Sequence, residues 1–196
     1  NTGNEIIHSN NGLLSTVAYQ KDDEDPQYAL EGSVSIAGAA VQWLRDNLNI
    51  IENSEDIESL AMSVKDNGDV YFVPAFSGLF SPHWDETARG VLVGLSRFSN
   101  KSHIARAVLE SVAYQSNELI ESMEKDIGTI FDTVNVDGGM VVNNLLMQFQ
   151  ADIFNKKVTS QKINEITALG AGAAAYLFIN NLPLENMNLF ISQSKT

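Results

Sequence analysis

Runs of strand-favouring residues open the chain and then give way to apolar positions spaced three and four apart. Gly12-Leu13-Leu14-Ser15-Thr16-Val17-Ala18-Tyr19 reads as a strand and Tyr28-Ala29-Leu30-Glu31-Gly32 as a second. The polar run from Lys21 to Asp25, closed by Pro26, is the turn that makes them a hairpin. Ile36, Ala40, Trp43 and Leu44 then fall on one face of a helix expected over 35–48. A second helix is expected over 54–64, with Ser54 as its N-cap and Ile57, Leu60, Ala61 and Val64 inward.

Further along, Val70-Tyr71-Phe72-Val73 predicts a strand that stops at Pro74, and Gly90 to Leu95 another, with a loop between carrying Phe76, Phe80 and Trp84. The longest helix is expected over 102–124, because Ile104, Val108, Val112, Gln115, Leu119 and Met123 form one stripe. Thr133 to Val136 is a strand running into Asp137-Gly138-Gly139, followed by a helix over 143–154 and a short strand over 157–159. The last helix, Ala168 to Ile179, is apolar on every side and on that ground is expected to be buried. Strands alternating with helices after a hairpin indicate an α/β domain with a mixed sheet.

Composition narrows the chemistry. At 196 residues and 44% hydrophobic content the chain suits one domain with a sizeable core. A net charge of −13 repels a phosphate backbone, so no nucleic-acid partner is expected. With no cysteine, disulfides and thiolate metal sites are excluded, in keeping with a reducing, cytoplasmic compartment. The stretch from Ala168 to Ile179 is shorter than the ~20 residues of a bilayer span, so no membrane span is expected. The opening residues, Asn1 to Glu5, carry neither a secretory signal nor an initiator Met, and the chain is expected to be cut from a longer one.

Four segments invite a chemical reading. Asp137-Gly138-Gly139 ends a strand and precedes a helix, where glycines let a ligand approach the backbone and helix N–H groups suit phosphate or polar groups. Geometry alone leaves a ligand site and a plain tight turn both open. Ala37-Gly38-Ala39-Ala40 with Gln42 would let a flat ring lie on the early helix, although close packing explains such small residues as well. Gly170-Ala171-Gly172-Ala173-Ala174-Ala175 matches the dinucleotide pattern, but no convincing strand precedes it and no acidic residue sits ~20 positions on, so helix packing is the reading adopted. His83 and Asp85 flank Trp84 in a loop and are read as structural; His8, His83 and His103 lack metal-ligand spacing, and Ser111 and Ser116 lack a nucleophile elbow.

Several stretches resemble the FGGY carbohydrate kinases, and among them the glycerol kinases. They are Tyr28 to Gly32 with Ala37-Gly38 and Gln42-Trp43-Leu44-Arg45-Asp46; Val73-Pro74-Ala75-Phe76-Ser77-Gly78-Leu79 with Pro82-His83-Trp84-Asp85; Gly90 to Leu95 with His103-Ile104-Ala105-Arg106-Ala107-Val108-Leu109-Glu110; and Val136 to Gly139 with Asn143 to Asp152. The likeness runs from Asn1 to about Leu177.

The resemblance implies a ribonuclease H-like, actin-like ATPase domain, spanning 1–196 as the C-terminal, nucleotide-binding domain of a two-domain kinase whose nucleotide lies in the cleft between domains. It implies that Gly38 and Gln42 approach the adenosine of ADP or ATP, that Gly139 sits against the nucleotide, and that Asn143 makes a polar contact to the base. Met140 departs from the alanine usual in glycerol kinases, which changes the pocket wall. No catalytic residue and no metal ligand is implied in this chain: the base acting on glycerol, the groups holding glycerol and most phosphate-binding turns would lie in an N-terminal kinase domain. Mg2+ would be held largely by the nucleotide and that missing half. The expected function is transfer of the γ-phosphoryl of Mg-ATP to glycerol by a cytoplasmic homo-oligomer, the isolated chain being inactive. A kinase for another polyol or sugar, or a non-catalytic actin-like nucleotide-binding module, remain the alternatives.

Overall fold

A computed structural model describes residues 1–21, 24–160, 165–187 and 190. Its longest element is α3 (Lys101–Ile127), which carries parts of both apolar clusters of the described residues. Asn100 starts the helix: its side chain accepts from the N–H groups of Ser102 and His103, while the His103 ring bonds back to the Asn100 N–H. That reciprocal pair satisfies donors the first turn cannot bond internally. Gly128 ends the helix in the left-handed region, φ 71°, its N–H returning to the Glu124 carbonyl.

The first half of α3 lies in the main core. Ala105, Val108, Leu109 and Val112 pack there with Ala40 and Leu44 of α1 (Gly38–Asp46), Ile57 and Ala61 of α2 (Asp56–Met62), Phe72 of β3 (Tyr71–Val73) and Leu146 of α4 (Asn144–Phe154). Trp43 stacks on Phe72 with ring centres 5.6 Å apart, next to Phe76 at 5.0 Å. The second half of α3 carries a smaller cluster, in which Leu119 meets Leu13 and Leu30 of the N-terminal hairpin.

The hairpin is as expected: β1 (Leu14–Tyr19) pairs antiparallel with β2 (Gln27–Glu31), with a register shift between Val17 and Tyr19. β3 pairs antiparallel with β4 (Val91–Val93), and β5 (Thr133–Val136) pairs parallel with β6 (Lys157–Ser160). The fold class is thus α/β with both strand senses, distributed among the described residues over three two-stranded ladders.

Two expectations need correcting. α2 takes Glu55, not Ser54, at its N-cap position without a side-chain cap; the Ser54 hydroxyl accepts from Arg45 Nη1 at 3.1 Å instead. α5 (Ile166–Ile179) is apolar all round, yet only Ala173 and Leu177 are buried, and Phe178 is 84% exposed. An all-apolar helix needs partners on every side to be buried, and the described residues give it neighbours on one side only. Among the described residues nothing packs on Gly170 or Gly172 either, a methyl added at each having no described neighbour within contact distance. No helix among the described residues is long and apolar enough to cross a membrane.

Candidate functional site

A cleft of about 840 Å³ opens between α1, α2, the turn after β5 and the first two turns of α4. Its form follows from the glycines. Gly138 adopts φ 94° and ψ 178°, a region essentially reserved to glycine, and so turns the chain from β5 into a 3-10 turn over Gly139–Val142. That turn separates the Asp-Gly-Gly sequence from α4, which starts one residue after Asn143 rather than directly at the glycines. Facing it, α1 begins at Gly38. A methyl group added at Gly38 would stand 3.7 Å from Met140 Sδ, an ordinary contact distance, so the two residues close one corner of the cleft between them.

Gly38, Gln42, Gly139 and Asn143, the residues singled out from the sequence, all line this cleft. They come from segments about 100 residues apart, joined here because α1 and α4 pack against the same half of α3. Gln42 and Gly139 are exposed and free to meet a ligand. Asn143 is buried and has a structural duty: its Oδ1 accepts the Leu146 N–H at 2.8 Å and so caps α4. Because the oxygen is committed to the helix, the amide plane is fixed and Nδ2 is the end left to donate to a ligand.

Two further residues were not legible in advance. Glu58 of α2 accepts the Leu145 N–H at 2.9 Å, so α2 ties down the first turn of α4 across the cleft. Gln150 lies two turns along α4 from Asn143 on the same face, 6% exposed, and its buried Oε1 has no partner among the described residues. The i, i+3, i+4, i+7 series Asn143, Leu146, Met147, Gln150 marks that face in the sequence, and all four line the cleft. Nothing comparable marks Glu58, which occupies an ordinary polar position of a short helix.

The chemistry of the lining is lopsided. Val41, Ile57, Val112, Leu146 and Met140 make apolar walls, and among the described residues the only charged groups are the carboxylates Glu55, Glu58 and Asp137. No lysine or arginine among the described residues contributes. Such a cleft suits a flat, uncharged ring and hydroxyl groups, and disfavours a polyphosphate unless cations from elsewhere balance it.

Other candidates resolve as scaffolding. His83 Nε2 lies 3.1 Å from Glu118, and Trp84 Nε1 donates to the Gly12 carbonyl at 2.8 Å, pinning the loop to the hairpin. Asp85 accepts from the Thr87 hydroxyl and N–H and from the Ala88 N–H, and these bonds hold its carboxyl below the usual range. The hydroxyls of Ser111 and Ser116 bond back to helix carbonyls at Val108 and Val112. Among the described residues no three His, Asp or Glu side chains gather to hold a metal ion.

Comparison with known proteins agrees with this geometry. The C-terminal domain of the FGGY family of carbohydrate kinases matches residues 2–177. The chain belongs to that family. Among curated FGGY relatives, glycerol kinase of Brucella anthropi is 60% identical over 179 residues, covering 91% of this chain and 36% of its own. Glycerol kinase of Rhizorhabdus wittichii is 57% identical over the same share of this chain. Among FGGY structures, Plasmodium falciparum glycerol kinase with ADP superposes with a TM-score of 0.83 and 37% identity, over 96% of this chain and 38% of that one. Ligand-bound xylulose kinase from Lactobacillus acidophilus gives a TM-score of 0.73 at 25% identity, over 91% of this chain and 36% of that one. The chain therefore spans little more than a third of the length of the relatives it matches.

Proposed function

We propose that this chain is the C-terminal domain of an ATP-dependent glycerol kinase and forms the adenosine side of its ATP site. The observation that carries the reading is the single cleft that gathers Gly38, Gln42, Gly139 and Asn143. Identity of 60% to a glycerol kinase, and likeness to another that holds ADP, support both the nucleotide and the acceptor. Gly38 and Gly139 let the nucleotide lie against backbone, Gln42 reaches it from α1, and Asn143 Nδ2 donates to the base.

The acidic lining supports leaving the phosphates to groups outside this chain. Phosphoryl transfer depends on positioning and on neutralising charge as it moves, and the described residues offer no cation and no metal cage for that purpose. Mg2+ fits no cluster among the described residues and belongs with the nucleotide and an N-terminal kinase domain, which also supplies the base and the glycerol-holding groups. The whole enzyme acts in the cytoplasm, as a homo-oligomer, on glycerol to give glycerol 3-phosphate.

The test is calorimetric titration of Mg-ADP into this chain and into the intact protein, with glycerol phosphorylation assayed in both. Turnover only in the intact protein, with weak or absent binding by this chain, is the expected result. Tight nucleotide binding without turnover of glycerol by the intact protein would overturn it, and turnover of a different polyol or sugar would move the acceptor assignment.

A further inference from the structure

We infer that Met140 determines nucleotide affinity as a movable cover: its thioether closes the corner above Gly38 and has to swing aside before a ring can lie there. Leaving out the helix backbone and the chain neighbours of Gly38, the atoms nearest a methyl built on Gly38 are Met140 Sδ at 3.7 Å and Met140 Cγ at 3.9 Å, and no other described atom comes within 4 Å. A methyl carbon lies about 1.5 Å from its Cα, which puts the sulfur no more than about 5.2 Å from Gly38 Cα. A flat ring between the two needs contact on both faces, about 3.5 Å each and so about 7 Å in all. The gap admits a methyl and is about 2 Å too narrow for a ring.

The backbone on both sides of that gap is held. The Met140 carbonyl accepts the Asn143 N–H at 3.1 Å, and the Val141 N–H donates to the Gly138 carbonyl at 3.2 Å, so the 3-10 turn is closed. Gly38 opens α1, which Ala40 and Leu44 anchor in the main core. The part free to move is the Met140 side chain, which is only partly buried against that core. Methionine is unbranched and has three rotatable bonds, so one change of rotamer shifts its sulfur by the missing distance. A site open in only a fraction of the molecules binds with its affinity reduced by that fraction. Met140 thus acts on affinity without making a polar contact, and shortening it removes the displacement that binding requires.

This inference rests on the cleft being the ATP site with the ring against Gly38, and the experiment separates the two. ADP binding to the intact protein is measured by calorimetry in wild type, Met140→Ala and Met140→Val, each with and without Gly38→Ala. The valine variant lacks the sulfur but keeps bulk against the core, which covers the case in which alanine fails to fold. Both shortened variants are expected to bind ADP about threefold to tenfold more tightly than wild type. Adding Gly38→Ala is expected to cancel that gain, because the methyl takes the corner that shortening opened. Equal or weaker binding by the shortened variants would make Met140 a fixed wall and overturn the cover. Tighter binding that Gly38→Ala leaves untouched would overturn it too, since the ring would then lie elsewhere in a widened cleft while the nucleotide site stands. If neither wild type nor any variant binds ADP, the nucleotide reading falls as well.

Discussion

The carboxylate of Glu58 and the backbone N–H of Leu145 are 2.9 Å apart, and this one bond joins the two helices that face each other across the cleft. Leu145 N–H lies in the first turn of α4, where no carbonyl of the helix can reach it. Glu58→Ala leaves it unsatisfied and frees α4 to shift. We expect ADP affinity in the intact protein to fall severalfold with the Michaelis constant for glycerol unchanged, and stability to fall by about 1 kcal/mol. Calorimetry and steady-state kinetics on the same samples check both.

Asn143 does two things that substitution can separate. Asn143→Ala removes the cap and the Nδ2 donor together, and should cost about 1 kcal/mol of stability while raising the Michaelis constant for ATP more than it lowers turnover. Asn143→Asp keeps an oxygen to cap Leu146 but cannot donate. It should unfold at nearly the wild-type temperature and still bind ATP poorly. An effect of either change on glycerol affinity alone would remove Asn143 from the nucleotide site.

Gly38→Ala tests whether the empty corner beside Met140 belongs to a ligand. The added methyl stands at an ordinary 3.7 Å from Met140 Sδ, and alanine is the better helix former, so thermal unfolding should be unchanged or slightly later. ADP binding should nevertheless weaken, because the methyl occupies the space the nucleotide would take. Unchanged affinity in a calorimetric titration would place the ligand elsewhere.

Acid should loosen the N-terminal segment before the cleft. Burial pushes the Asp126 carboxyl up, but hydrogen bonds from Ser9, Asn10 and Asn11 outweigh it and hold the group below its usual value. A carboxyl lowered in this way stabilises above its unfolded value of about 3.9, and the contribution fades as pH falls through the folded value. Protease cleavage within residues 1–31 is therefore expected to accelerate as pH drops below about 4, a change that Asp126→Asn largely removes. Equal cleavage of both proteins across that range would show that the anchor does not matter.

Lys156 and Glu124 form a pair 2.7 Å apart with side chains about a tenth exposed, joining the end of α4 to α3. Lys156→Met leaves the largely covered Glu124 carboxylate with only the Phe131 N–H, a defect worth about 1–3 kcal/mol. Lys156→Met with Glu124→Gln should recover most of that loss. Denaturant unfolding of the single and double variants measures it.

Much of this was legible from the chain alone, and the misses share a cause. The stripe on α3 and the hairpin were read correctly because each is written in neighbouring residues and a local period. Gly38, Gln42, Gly139 and Asn143 came from the glycine patterns and the family resemblance, and the packing of α1 and α4 on α3 brought them to one cleft. Glu58 was invisible, since its partner is a backbone N–H 87 positions away that no side-chain pattern marks. The dual duty of Asn143 needed the helix start to be fixed to the residue, and helix ends are where sequence periodicity is least sharp. α5 was misjudged because apolarity on all sides says that a helix wants cover, not that the described residues supply it.

The division of α3 between two apolar clusters has a kinetic consequence. Leu119 and the hairpin occupy one end, the main core the other, with exposed Tyr114 and Glu118 between them. Amide hydrogens should therefore exchange in two tiers along one continuous helix. The C-terminal turns open together with the hairpin in sub-global excursions, whereas the turns from Ala105 to Ala113 exchange only when α1, α2 and α4 also let go. The cleft would then outlast the hairpin, keeping its shape through fluctuations that momentarily free the first thirty residues.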